Sequence, residues 1–196
     1  MNKTTSRMIK VGGAVAVAGA LIGATLATAN AAEQTTDTAA GTSEVAAEAR
    51  GGGPRIPQEI AVPAGNRLIG TMQARGQQVY TCTAGAWVFT EPVATLTGRV
   101  NNRPVTAIHF KGPSWESIDD GSLVTATSQA TSPVTGSIAQ LLLKATPATG
   151  STGVFGKVTF IHRLATTGGV APAGACTDGT RLGVAYRAEY RFYAAG

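Results

Sequence analysis

Tyr186, Ala188, Tyr190 and Phe192 alternate with Arg187, Glu189 and Arg191. A period of two sends successive side chains to opposite faces of a sheet, so this segment reads as a strand with one buried and one wet face. The same rhythm sets Val154, Val158 and Phe160 against Lys157, Thr159 and Arg163. Residues 77–83, 86–90, 105–110 and 123–128 are short β-rich runs, and Trp87, between Ala86 and Val88, reads as core. Gly85, Asn101-Asn102 and Asp120-Gly121 tolerate positive φ and mark hairpin turns. Residues 138–145, with leucines at 141 to 143, fit a short helix or a buried strand about equally. Many strands at short spacing with almost no helical period predict an all-β domain, an antiparallel β-sandwich or barrel.

This domain is expected over residues 55–196, about 140 residues, a usual size for one hydrophobic core. No fixed-period repeat suggests a solenoid or propeller. The preceding sequence has a different character. Lys3, Arg7 and Lys10 precede an apolar run from Val11 to Leu26 and then the small-residue stretch Ala27-Thr28-Ala29-Asn30-Ala31-Ala32, the order of an export signal cleaved near Ala31. The apolar run is about 16 residues and carries four glycines, short for a bilayer span of about 20. The expected division is a signal peptide at 1–31, a disordered linker at 32–54 rich in Ala, Thr and Ser, and the β domain. No transmembrane segment is expected after signal cleavage, and the protein is expected to be secreted.

Charge and cysteine content sharpen this picture. The net charge of +5 includes the three cations of the signal. From Arg55 onward the basic residues outnumber the acids but are spread along the chain, which argues against a nucleic-acid partner. Cys82 and Cys176 are the two cysteines of the chain. In an oxidising compartment they are expected to pair, tying the long irregular stretch 165–179 to the strand that carries Cys82 and removing roughly 4–5 kcal/mol of unfolded-state freedom.

Candidate chemistry is sparse. His162 lies among Val158, Phe160 and Leu164 and reads as a core histidine. His109 precedes Lys111-Gly112-Pro113-Ser114-Trp115-Glu116 and Asp119-Asp120, the densest group of polar and aromatic side chains. Here His109, Lys111, Trp115 and Glu116 are the candidate ligand-binding residues, with Trp115 as a platform and Lys111 as an anion contact; solvated turn residues are the plainer alternative. Ser114 lacks the second glycine of a nucleophile elbow. The spacing of His109 and His162 does not suggest a metal, and the run Gly150 to Gly156 leads into a strand rather than a helix, so neither a metal nor a nucleotide cofactor is expected.

Seven fragments in one order carry a family resemblance: Gly76 to Cys82, Ala86 to Phe89, Gly112 to Glu116, Leu141 to Lys144, Gly153 to Phe155, Gly168 to Pro172 and Tyr186 to Tyr193. Together they resemble the secreted family called domain of unknown function 3455. The resemblance implies an exported bacterial or fungal protein with no established activity. Family members often show Pro-Trp where this chain has Ala139-Gln140. The expected role is a binding or structural module of the extracellular or envelope space, contacting a glycan, a small molecule or a surface protein. The alternative is a secreted hydrolase using His109 with Glu116 or Asp119.

Overall fold

A computed structural model describes residues 53–147 and 152–196. The signal peptide and most of the linker expected from the sequence lie outside the described residues. Eight antiparallel strands run as a continuous meander: β1 Asn66–Thr83, β2 Ala86–Val100, β3 Arg103–Phe110, β4 Ser114–Ser117, β5 Leu123–Val134, β6 Ser137–Pro147, β7 Val158–Gly168 and β8 Arg181–Ala195. Each pairs with its sequence neighbour, and β8 returns to pair with β1 from Asn66↔Ala195 to Thr81↔Arg181, closing a barrel. Closure joins the first and last strands and decides between the two architectures left open by the sequence.

The turns fall where the sequence puts them. Asn101 and Asn102 both have positive φ, 49° and 62°, which matches the twist of the flanking strands in a two-residue hairpin. Residues 138–145 form the body of β6, not a helix. Both barrel faces of this segment are occupied, since Leu143 packs into the barrel while Leu142 packs outside it, and a continuous apolar run is what such a strand requires. Trp87 is half-buried near the end of the β1–β2 hairpin, outside the two hydrophobic cores. The expected irregular stretch 165–179 begins later, because β7 continues to Gly168.

The interior core includes Met72, Leu96, Val100, Val105, Trp115, Val124, Phe155, Ile161, Tyr190 and Phe192, all nearly or fully buried. Outward positions on β1 and β2 include Gln73, Arg75, Gln77, Thr95, Thr97 and Arg99, with exposed Val93 among them. At Gly76 and Gly98 the neighbouring backbone comes so close that a Cβ would lie 2.1 Å and 2.2 Å from a carbonyl oxygen, so glycine lets the first two strands coil tightly.

A bulge between Val158 and Phe160 reassigns the faces of β7. Val158, Ile161 and Arg163 face the barrel, whereas Phe160, His162 and Leu164 face outward. Residues 53–65, with the short 3-10 turn Gln58–Ile60, form a strap over this outer face. Ile60 packs with Leu142 and Leu164 in a second small core. His162 is fully buried there; Nε2 donates to the Ile60 carbonyl at 2.6 Å, leaving Nδ1 to accept from the Tyr193 hydroxyl at 3.1 Å. A core histidine was expected; the core it joins lies outside the barrel.

Candidate ligand-binding cavity

The two ends of the barrel differ. At one end the segment before β7 turns inward and Phe155 stacks on Phe192 with ring centres 4.9 Å apart. The β4–β5 turn holds it: the Val154 amide donates to Asp120 Oδ2 at 2.9 Å, and the Phe155 amide to Ser122 Oγ at 3.2 Å. Burial raises the Asp120 pKa, but hydrogen bonds from Ser122, Val154 and Ser117 outweigh it and bring the carboxyl down to about 2. The carboxylate therefore stays charged while it bonds the amides of the closing segment.

At the other end the β1–β2 and β3–β4 turns surround an opening that leads into a cavity of about 420 Å³. An eight-stranded barrel is just wide enough to be filled by side chains or to hold one small ligand. Here Gln78, Thr90, Gly112 and Ser128 stand among the apolar residues that line the cavity. Pro92, Pro113, Ile138, Ala139, Leu141 and Leu143 supply a mainly apolar wall, and Phe89, half-exposed, stands at the rim. The floor is aromatic: His109 stacks on Trp115 at 4.3 Å and 5°, and Tyr190 meets both edge-on.

Polar groups are few and specific. His109 Nδ1 lies 2.8 Å from the Ser114 carbonyl. A carbonyl only accepts, so Nδ1 carries the proton and Nε2 is the acceptor. Burial drives the His109 pKa down, the Ser114 bond opposes this, and the charge of Arg163 adds to the fall, leaving it at about 4. The ring is neutral at physiological pH. Burial likewise raises the phenol pKa of Tyr80, Tyr186 and Tyr190. Among the described residues, Gln78 Nε2 and Trp115 Nε1 are buried without a hydrogen-bond partner, and the Tyr186 and Tyr190 hydroxyls bond to each other and, for Tyr190, to Arg163 only with poor geometry. Such groups cost about 1–3 kcal/mol each when left unsatisfied.

Arg163 reaches the cavity from β7. Its Nε donates to the Ala139 carbonyl at 3.0 Å, and its charge acts on Tyr80, His109, Tyr186 and Tyr190. Among the described residues no carboxylate lines the cavity. Alternation alone does not reveal this cation: Arg163 reads as the wet face of its strand until the bulge turns it inward. Apolar residues on both faces of the run Val158 to Leu164 were the available signal.

The structure brings three of the four candidate residues together. His109, Lys111 and Trp115 line the cavity. Glu116 does not: it pairs with the outward-facing Ile108, while His109 pairs with Trp115 on the inner face, so the sheet separates the two. Trp115 is fully buried with one face against His109, which leaves no open ring surface on which a sugar could stack from solvent. Asp119 is exposed beyond the other end of β4, where Oδ2 accepts from the Thr106 amide at 2.9 Å. Neither acid is placed to work with His109.

The expected disulfide is formed, Cys82 to Cys176. It fastens the β7–β8 loop beside the mouth, with the Cys176 amide on the Gly85 carbonyl at 3.3 Å and Asp178 Oδ1 accepting from the Gly85 amide at 2.8 Å. Gly169, at the start of that loop, lies against Gln78, Ile138 and Tyr186 and accepts the Tyr80 hydroxyl bond at 2.6 Å. Such a bridge suits an oxidising compartment.

No curated protein and no solved structure matches the sequence. The family described as Protein of unknown function (DUF3455) matches residues 63–194, which span all eight strands and every wall of the cavity; the chain belongs to that family.

Proposed function

We propose that this protein is an exported binding protein that holds one small, largely apolar molecule inside its barrel. The observation that carries the reading is the cavity of about 420 Å³, closed at one end, open at the other and mainly apolar. Its volume falls within the range of small-molecule sites, and convergent polar groups in an apolar pocket are their usual composition. Export rests on the order of charged, apolar and small residues over 1–31 and agrees with the disulfide. A hydrolase has less support, because among the described residues no carboxylate lines the cavity with His109, and a pKa lowered to about 4 makes its ring a weak base.

The test is equilibrium binding of aliphatic and aromatic small molecules by native mass spectrometry, on the parent and on Leu141→Trp, which fills the cavity from its wall. At least one compound is expected to bind the parent one-to-one and to be lost from the variant while circular dichroism is unchanged. Failure of every compound to bind the parent, or equal binding by the folded variant, overturns the reading.

A further inference from the structure

Resting on that reading, we infer that the molecule held in the barrel is a monoanionic organic acid, its carboxylate seated against Arg163 and its apolar body directed toward the mouth. Arg163 sits on the cavity wall between Leu141 of β6 and Tyr190 of β8. Among the described residues it makes no ion pair; its Nε donates to the Ala139 carbonyl and its guanidinium donates, with poor geometry, to the Tyr190 hydroxyl, which leaves further N–H donors for a ligand. A guanidinium in a mainly apolar cavity without a carboxylate is costly unless something compensates its charge.

The orphaned groups nearby point the same way. Gln78 Nε2 and Trp115 Nε1 can only donate; these residues are 2 % and 0 % exposed, and both line the cavity with Arg163. Donors without acceptors call for an acceptor-rich group, and the planar fork of arginine matches a carboxylate. Lys111 also lines the cavity but is exposed at the mouth, so a phosphate monoester seated at Arg163 would bring nearly two charges against one interior guanidinium. Leu141, Leu143, Ile138 and Pro92 leave apolar surface for the remainder of the ligand.

The experiment compares matched probes on the full chain: decanoate against decanol, and 2-naphthoate against 2-naphthol, by isothermal titration at pH 7.5. The acids are expected to bind the parent about tenfold or more tightly than their neutral counterparts. In Arg163→Gln the preference is expected to fall below about twofold, chiefly by weaker binding of the acids, while Arg163→Lys retains part of it. Gln78→Leu, which removes one donor and keeps the charge, is expected to weaken the acids less than Arg163→Gln does. Neutral probes binding the parent as tightly as the acids, or an acid preference that survives in folded Arg163→Gln, overturns this inference and leaves the binding-protein reading standing. Absence of binding by all four probes overturns the inference; the broader compound panel then decides the binding-protein reading by itself.

Discussion

His109 shows how one residue couples the cavity to pH. Its pKa is 6.5 in an unfolded chain and about 4 in the barrel, so between these values the unfolded state binds more protons. Its contribution to stability is therefore complete above about pH 6.5 and is lost as pH falls through about 4, an effect on the order of 3 kcal/mol. Burial lowers His162 in the same direction. Urea unfolding at pH 7.5 and 4.5 is expected to show the parent losing stability at the lower pH, and His109→Gln losing clearly less. Equal stability of the parent at both pH values would sink this account. That His109 and Trp115 lie near one another was legible in the sequence as one polar and aromatic group around a short turn; their stacking follows from the strand register that pairs them. The side of the sheet taken by Glu116 follows from the same alternation, yet proximity along the chain suggested a shared pocket.

Among the elements, the β7–β8 loop carries the clearest stability prediction. Twelve residues, 169–180, have no regular structure and are anchored by Cys82–Cys176 and by Asp178 at the β1–β2 turn. Cys82→Ser with Cys176→Ser is expected to cost about 2–5 kcal/mol in urea unfolding, and limited proteolysis of the native variant is expected to cut first within this loop. A variant as stable and as resistant as the parent would show the hydrogen bonds alone suffice. The elements were legible where a single face is buried, as in β8, and where a turn needs positive φ, as at Asn101-Asn102. They were less so in β1 and β2, 18 and 15 residues long. There the interior accepts Gly76 and Gln78 beside a cavity, so the apolar alternation weakens before the strand ends.

Taken together, the described residues form two hydrophobic cores, one inside the barrel and one under the strap. The strap over β5 to β7 contributes Ile60, fully buried, and a hydrogen bond from the Ser132 hydroxyl to Glu59 at 2.6 Å. Ile60→Ala is expected to cost about 2–5 kcal/mol and to increase binding of an apolar dye by uncovering Leu142 and Leu164; unfolding that matches the parent would assign the strap no structural role. No sequence rule marks the strap, because its contacts are long-range and its own segment is short and rich in proline. The barrel itself also imposes a polarity on the molecule. Its closing seam brings the Gly196 amide to the Gly65 carbonyl at 2.8 Å, at the floor sealed by Phe155 and away from the mouth. Whatever is joined to the backbone beyond Gly196 leaves from the base, as a stem leaves a cup. A reporter, a tether or a solid support attached there would hold the protein with its opening turned outward and the path into the cavity clear.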